Sequence, residues 1–285
     1  MKSSKRQIMN SAFAISCKAV TWMSLVILAV LLFHIFKQGY EFLSFDFLQN
    51  LPSRKAHKAG IKTALVGTLW VVSLTACFAI PFGVATAIYL QEYANKKSLF
   101  IRFIKINIAN LAGMPSIIYG LLGLTLFVRY FGFDRSILAG SLTLALLVLP
   151  VIIITSIEAI KAVPGSIRYA AFAMGARRYQ VVLGQVLPAA LPGIMTGIIL
   201  SISRVIGETA PLLIVGAMSY VAFLPENAMD MFTVLPVQIY NWAGRPSEDF
   251  HSLAAAGIIV LLGVLFSMNF IAVIIRKKFQ RYKSE

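Results

Sequence analysis

Residues 158–193 read "EAIKAVPGSIRYAAFAMGARRYQVVLGQVLPAALPG". The alanine-rich middle, with Arg168, Arg177 and Arg178, favours helix. Gly175 tolerates a left-handed turn, and Pro188 and Pro192 stand where a following helix begins. The segment reads as two short helices joined at a glycine, covering about 158–191. On either side the chain turns apolar over bilayer-crossing lengths, so this is a surface feature lying against a membrane.

A hydrocarbon core about 30 Å thick takes roughly 20 helical residues. Six apolar runs qualify, at approximately 17–36, 64–90, 106–128, 137–157, 193–215 and 253–275. Composition agrees, since 59% of the 285 residues are hydrophobic and 13% charged, with mean hydropathy +0.81, against about 25% charged in soluble domains. The expectation is an all-α polytopic membrane protein of six transmembrane helices. No repeat, low-complexity tract or soluble unit interrupts it, so residues 1–285 form one transmembrane domain. Two connections are longer than a helical hairpin needs, 158–191 and 216–252, and long connections tend to carry function.

The N-terminal "MKSSKR" precedes an apolar run that exits into "KQGYEF" without a small-residue cleavage site, which reads as a retained anchor helix. Cys17 and Cys77 both fall in expected spans with no pairing pattern and are read as core filling. The net charge of +15 is distributed as in a membrane protein and does not call for nucleic acid. With six spans both termini share a side, and most of the 26 Lys and Arg residues lie there, among them Arg102, Lys105, Lys161, Arg276 and Lys277. The positive-inside rule makes that side cytoplasmic. Arg54, Lys55, Lys58 and Lys62 run against this pattern by crowding the outer loop before the second span.

Within the fifth span, "SRVIGETAPLL" (203–213) holds two charges. A charge at a helix centre costs about 2.5–3.5 kcal/mol on insertion scales, so such residues pair and face a protein or aqueous interior. Arg204 and Glu208 are i,i+4 and fall on one face of a helix. A self-neutralising bridge that only packs the bundle is one reading. Against it, Gly207 lies between the charges and Pro211 cannot donate to the Gly207 carbonyl, which frees backbone polarity at the same depth. The charged face is therefore expected to line a pathway. A planar guanidinium can give an oxyanion two parallel hydrogen bonds, and a neighbouring glutamate keeps that binding reversible.

The third span has a similar irregularity in "NLAGMPSIIYGLLG" (110–123). Gly113 and Pro115 predict a kink, Pro115 leaves the Leu111 carbonyl without its helical donor, and Ser116 and Asn110 supply polar groups to a pathway. Gly193, Gly197 and Ser201 share a face suited to close helix approach. In the external segment, Tyr240 and Trp242 precede a turn at Gly244 and Pro246 and fit an interfacial aromatic anchor. Arg168, Arg177 and Arg178 suit contact with anionic lipid headgroups.

Gly175 followed after eleven residues by Leu187-Pro188 resembles the cytoplasmic loop of ABC importer permeases, with Ala170 and Ala171 in its two alanine positions and Ala176 and Arg177 after its glycine. Two residues depart from the family pattern: Tyr169 stands where Glu is usual and Gln185 where Ile is usual. From Ala59 onward, "GIKTALVGT", "PFGVATAIYLQEYA", "LAGMPSIIYGLLGL", "GARRYQVVLGQVLPAALPGIMTG", "SRVIGETAPLL" and "LPVQIYNWAGRPSEDFHSLAAAG" are similar to phosphate ABC importer permeases of the PstA type. The resemblance implies the type I importer permease fold and coupling helices at roughly 167–182 that dock on a cytoplasmic ABC ATPase dimer. It also implies a homologous sister permease subunit, an external phosphate-binding protein, and an inner-membrane location with both termini cytoplasmic.

The chain contains no G-x-x-x-x-G-K-[ST] phosphate loop, so ATP and Mg would enter through the partner and no cofactor is expected in this chain. His34, His57 and His251 are scattered, and no catalytic or metal-ligating constellation is visible. Two alternatives stay open at this point. One is the same permease role for phosphonate, molybdate or sulfate, and the other is an ion-coupled carrier in which Glu208 moves protons. The second would leave a coupling loop without use and shows no matching inverted halves.

Overall fold

In the computed structural model, residues 2–95, 97–218 and 220–281 are described. The chain runs α1 Lys2–Gly39, α2 Phe45–Gln49, α3 Lys62–Ile88, α4 Leu99–Ala112, α5 Ser116–Gly123, α6 Ile137–Lys161, α7 Gly165–Ala173, α8 Arg178–Val181, α9 Leu187–Gly207, α10 Ala210–Val215, α11 Leu235–Ala243 and α12 Glu248–Arg281. No strand is present among the described residues; the one β contact there is an isolated bridge between Ser136 and Met231. Among the described residues, five stretches are long and apolar enough to cross a membrane: Met9–Phe42, Lys62–Tyr93, Ile137–Lys161, Arg178–Gly207 and Glu248–Lys277. A bent pair, Leu99–Ala112 with Ser116–Tyr130, makes the sixth.

α6 is the axis of the bundle. It is apolar on every face, as a helix must be when neighbours surround it, and it packs against α3, α9, α5, α4 and α10. Leu144, Val148 and Ile152 on α6 join Val71, Val72 and Ala79 of α3 and Val205, Ile206 and Leu212 in one apolar core. α1 and α12 pair at the periphery and keep long exposed apolar faces, including Trp22, Phe33, Phe266 and Phe270. Close approach of α9 to α6 depends on small residues. A Cβ at Gly193 would lie 2.8 Å from the Ala159 Cβ, and one at Gly197 would lie 2.3 Å from the Thr155 hydroxyl. Ser201, the third of the stripe, is buried and donates to the Gly197 carbonyl at 2.9 Å.

The third span differs from a kinked helix. α4 and α5 meet at 103° across the break at Gly113–Pro115, because Pro115 adopts φ −57°, ψ 136° and begins a new helix instead of continuing the old one. The fifth span is displaced toward the N-terminus. Residues 178–207 form one helical rod in place of the expected 193–215, so Leu187 and Pro188 lie inside a span and not in a surface loop. A π-helical turn, Val182–Val186, directly precedes Leu187-Pro188, and this widened turn accommodates a proline that lacks its N–H. The surface element between spans therefore shrinks to α7 and its turn.

Two smaller expectations also fail. Trp242 is not an interfacial anchor. It is buried beside Phe47, ring centroids 6.0 Å apart, because α11 folds its apolar face onto α12 and the segment before α3, while Tyr240 on the other face stays exposed. Cys17 and Cys77 are both exposed rather than core-filling. Each sits on an outward face of a spanning helix, which is apolar for the same reason that a core is.

Candidate functional site

The two broken spans meet. α5 packs along α10, and the contact is tight enough that a Cβ on Gly120 would lie 2.8 Å from the Pro211 Cα. Glycine permits this because it brings no side chain to the crossing. The C-terminal half of one broken span thus rests on the short helix that follows the break in the other.

Arg204 lies in the last turn of α9 and Glu208 one residue past its end, in extended conformation with φ −73°, ψ 124°. The expectation of two charges on one helical face therefore needs correction, since the helix stops at Gly207. Pro211 explains the stop, because it forbids continuation and opens α10 at its second residue. The pair survives the break, with the Arg204 Nε donating to the Glu208 Oε1 at 3.0 Å. Their exposures differ sharply, 50% for the arginine side chain and 14% for the glutamate. Glu208 is the held partner, and Arg204 presents its remaining donors outward. Nothing lies within 4 Å of a Cβ built on Gly207, so the backbone between the charges faces open space.

Across the break in the third span, the Leu111 carbonyl is not left unpaired. It accepts the Tyr119 hydroxyl at 2.8 Å and the Met114 N–H at 3.1 Å. Tyr119 is buried and within electrostatic reach of Arg204. Sequence reading missed it, because nothing in periodicity signals a contact over eight residues through a bend of 103°. Ser116 is half-buried at the start of α5 and Asn110 is exposed on the last turn of α4. Neither side chain hydrogen-bonds to Arg204 or Glu208 among the described residues, so the structure unites the helix breaks and the charged pair without drawing those two groups in.

At the far end of the bundle lies the second cluster. Gly175 has φ +82°, the left-handed turn between α7 and α8. Ala170, Gly175 and Arg177 are exposed and Ala171 and Ala176 half-buried. Tyr169 is 76% exposed, flanked by exposed Phe172 and Met174. Arg168 does not face headgroups. Its Nη1 donates to the Val163 carbonyl at 2.7 Å, and its Nη2 to the Ile160 carbonyl at 2.9 Å and to Glu92 Oε1 at 2.8 Å. Arg178 donates to the Glu92 carbonyl and lies over the Tyr93 ring, 5.3 Å from its centroid. Glu92, Arg168 and Arg178 line a cleft of about 560 Å³ with Gln91, Asn95 and Lys161. Glu92 is the second functional candidate that sequence reading missed.

The bundle thus carries a pair of broken spans packed together near one end and the glycine-turned α7–α8 element at the other. Residues 79–281 match the family described as binding-protein-dependent transport system inner membrane component. The chain belongs to this family. Among its relatives in this family, the phosphate transport system permease protein PstA 1 of Mycobacterium tuberculosis (strain CDC 1551 / Oshkosh) is 32% identical over 95% of this chain and 90% of its own. The PstA protein of Haemophilus influenzae is 34% identical over 84% of this chain and 83% of its own. The family's fold is also seen in an alginate ABC transporter solved with its periplasmic protein, TM-score 0.66 at 16% identity over 95% of this chain and 94% of that one. A methionine ABC transporter in an inward-facing conformation gives TM-score 0.60 at 19% identity over 77% and 94%. The fold is that of the ABC importer permeases.

Proposed function

We propose that this permease forms half of the transmembrane pathway of an ATP-driven importer of inorganic phosphate. The reading is carried by the Arg204–Glu208 pair at a helix break, in a chain that matches phosphate permeases along almost its whole length. A guanidinium with one side held by carboxylate and the other half exposed can accept an oxyanion by exchange. Phosphate oxygens take the free N–H groups, Glu208 loosens, and the pair re-forms as phosphate leaves. The Tyr119 brace ties α5 to the last turn of α4 across the break while this happens.

One subunit supplies one wall, and a homologous sister permease completes the pathway opposite Arg204. Both termini are cytoplasmic, which places α7 and the Gly175 turn inside the cell. There Tyr169, Phe172 and Met174 form an exposed apolar tip that docks on the ATPase dimer, which brings ATP and Mg to the assembly. Tyr169 in place of the family's Glu makes this contact one of packing more than of charge. On the other face, the long segment containing α11 receives an external phosphate-binding protein.

The test is reconstitution of the four-component transporter in proteoliposomes with labelled phosphate and loaded binding protein. The expected result is phosphate uptake that excess sulfate, molybdate or phosphonate does not displace, and that disappears in Arg204→Ala while the complex still purifies intact. Uptake unchanged by Arg204→Ala would reduce the pair to packing, and displacement by another oxyanion would reassign the cargo.

A further inference from the structure

We infer that Glu92 is a positioning residue for energy coupling, a clamp by which the α7 loop grips the end of α3 as well as the two spans to which the chain already connects it. The inference rests on the reading of this loop as the ATPase contact. By covalent sequence, α7 follows α6 and precedes the rod 178–207. Movement of α7 therefore reaches those two spans directly, and the second span, Lys62–Tyr93, only through side chains.

The polar link is concentrated at one corner. Glu92 offers its carboxylate to Arg168 and its carbonyl to Arg178, while the neighbouring Tyr93 ring lies beneath the Arg178 guanidinium. Arg168 is held from three directions, by Glu92, by the Ile160 carbonyl at the end of α6 and by the Val163 carbonyl just beyond it. One guanidinium thus joins the second span, the fourth span and the coupling helix. Its planar fork has a single orientation that meets all three acceptors, so a shift of any one displaces the others.

Burial adds stiffness. The Arg168 and Glu92 side chains are only 19% and 13% exposed, so water competes weakly for them. Apolar packing of Leu90 and Ala94 with Val163, Ile167 and Ala171 surrounds the pair. The corner is also where helix geometry changes, since Tyr89–Tyr93 is a π-helical turn that ends in extended Ala94. Such turns recur where a helix must yield locally. The exposed tip of Tyr169 and Met174 faces outward as Arg168 on the same helix is locked inward, which makes α7 a lever with a fixed end.

The experiment uses the complete transporter in proteoliposomes and reads phosphate moved per ATP hydrolysed. Glu92→Gln keeps the shape and removes the charge, leaving Arg168 its two carbonyl acceptors and a neutral amide oxygen in place of the carboxylate. The expected result is a ratio lowered at least about fivefold, the lower range of an allosteric coupling. A ratio equal to wild type, or uptake and hydrolysis falling in proportion, overturns the clamp. Should Glu92→Gln fail to assemble, Arg178→Met changes only an exposed side chain. It should lower the ratio about threefold, the low end for one net hydrogen bond at an exposed position, and an unchanged ratio there overturns the proposal equally. Failure of the docking reading is seen separately, as undiminished co-purification of the ATPase with Tyr169→Asp, with the Glu92 ratio still deciding the clamp.

Discussion

Two arginine–glutamate pairs sit at different levels of this permease and are built in opposite ways. Arg204 and Glu208 are four residues apart and share one hydrogen bond, with the arginine side chain 50% exposed. Arg168 and Glu92 are 76 residues apart, both largely buried, and the arginine meets two carbonyls besides the carboxylate. The first pair suits a charge that must be given up and regained. A pair held as firmly as the second would trap an anion or exclude it, and a pair as loose as the first would transmit no movement.

The largest effect expected from this contrast is on transport. Arg204→Ala should abolish phosphate uptake, and Glu208→Gln should keep binding while slowing release, so that single-turnover uptake persists as steady-state uptake falls. Equal loss in both variants would make the glutamate a ligand and not a release device.

The order reverses for stability. Arg168→Ala leaves Glu92 buried without its partner and should destabilise the purified subunit by about 3 kcal/mol, the lower end for breaking buried pairs. Arg204→Ala should cost less, about 1–2 kcal/mol, because Glu208 loses a half-exposed partner that gives it one hydrogen bond. Thermal unfolding in one detergent measures both, and equal shifts would break the distinction.

The helix crossing that unites the two broken spans gives a smaller, separable effect. Gly120→Val places branched atoms against the Pro211 backbone, which cannot move aside as a side-chain tip could. The expected cost is about 1–3 kcal/mol from overpacking, with uptake falling further than stability because α10 carries the segment after Glu208. Tyr119→Phe removes one hydroxyl from the Leu111 carbonyl and should cost about 1 kcal/mol.

How much of this was legible in the sequence follows the same divide. Arg204 and Glu208 were readable as a pair because a spacing of four is local, and the spans were readable because apolar length is local. Gly113, Pro115, Gly207 and Pro211 marked the breaks, since proline's missing N–H acts on its own turn. The angle of the α4–α5 break was not readable, because Pro115 ends a helix without saying where the next one points. Nor was the continuity of residues 178–207, where Pro188 and Pro192 counted as boundaries until a π-helical turn absorbed the first. Glu92 carries no local signal because its partner is fixed only by how α3 and α7 meet. The burial of Trp242 is hidden for a related reason, its depth being set by α11 folding back on α12.

Asp230 extends the comparison to a carboxylate with no arginine in its hydrogen-bonding shell. In the loop before α11, its Oδ2 accepts the Glu226 N–H at 2.8 Å and the Asn227 N–H at 2.9 Å. These bonds, Asn227 first and Glu226 second, hold its pKa below the ordinary carboxylate value. A depressed folded-state pKa means that the stabilisation is present above the unfolded value near 4 and is lost as pH falls through the folded one. Between about pH 6 and 5 the loop should therefore show no Asp230-dependent change. Below about pH 4 it should open, because a protonated oxygen accepts the two N–H groups more weakly. Amide exchange at Glu226 and Asn227 measures this directly, and Asp230→Asn should exchange fast at every pH with no acid step. A retained acid step in that variant would take the opening away from the Asp230 carboxylate, and the loop would then owe its shape to backbone bonds such as those from the Ile137 N–H to the Asp230 carbonyl and from the Leu138 N–H to the Ala228 carbonyl.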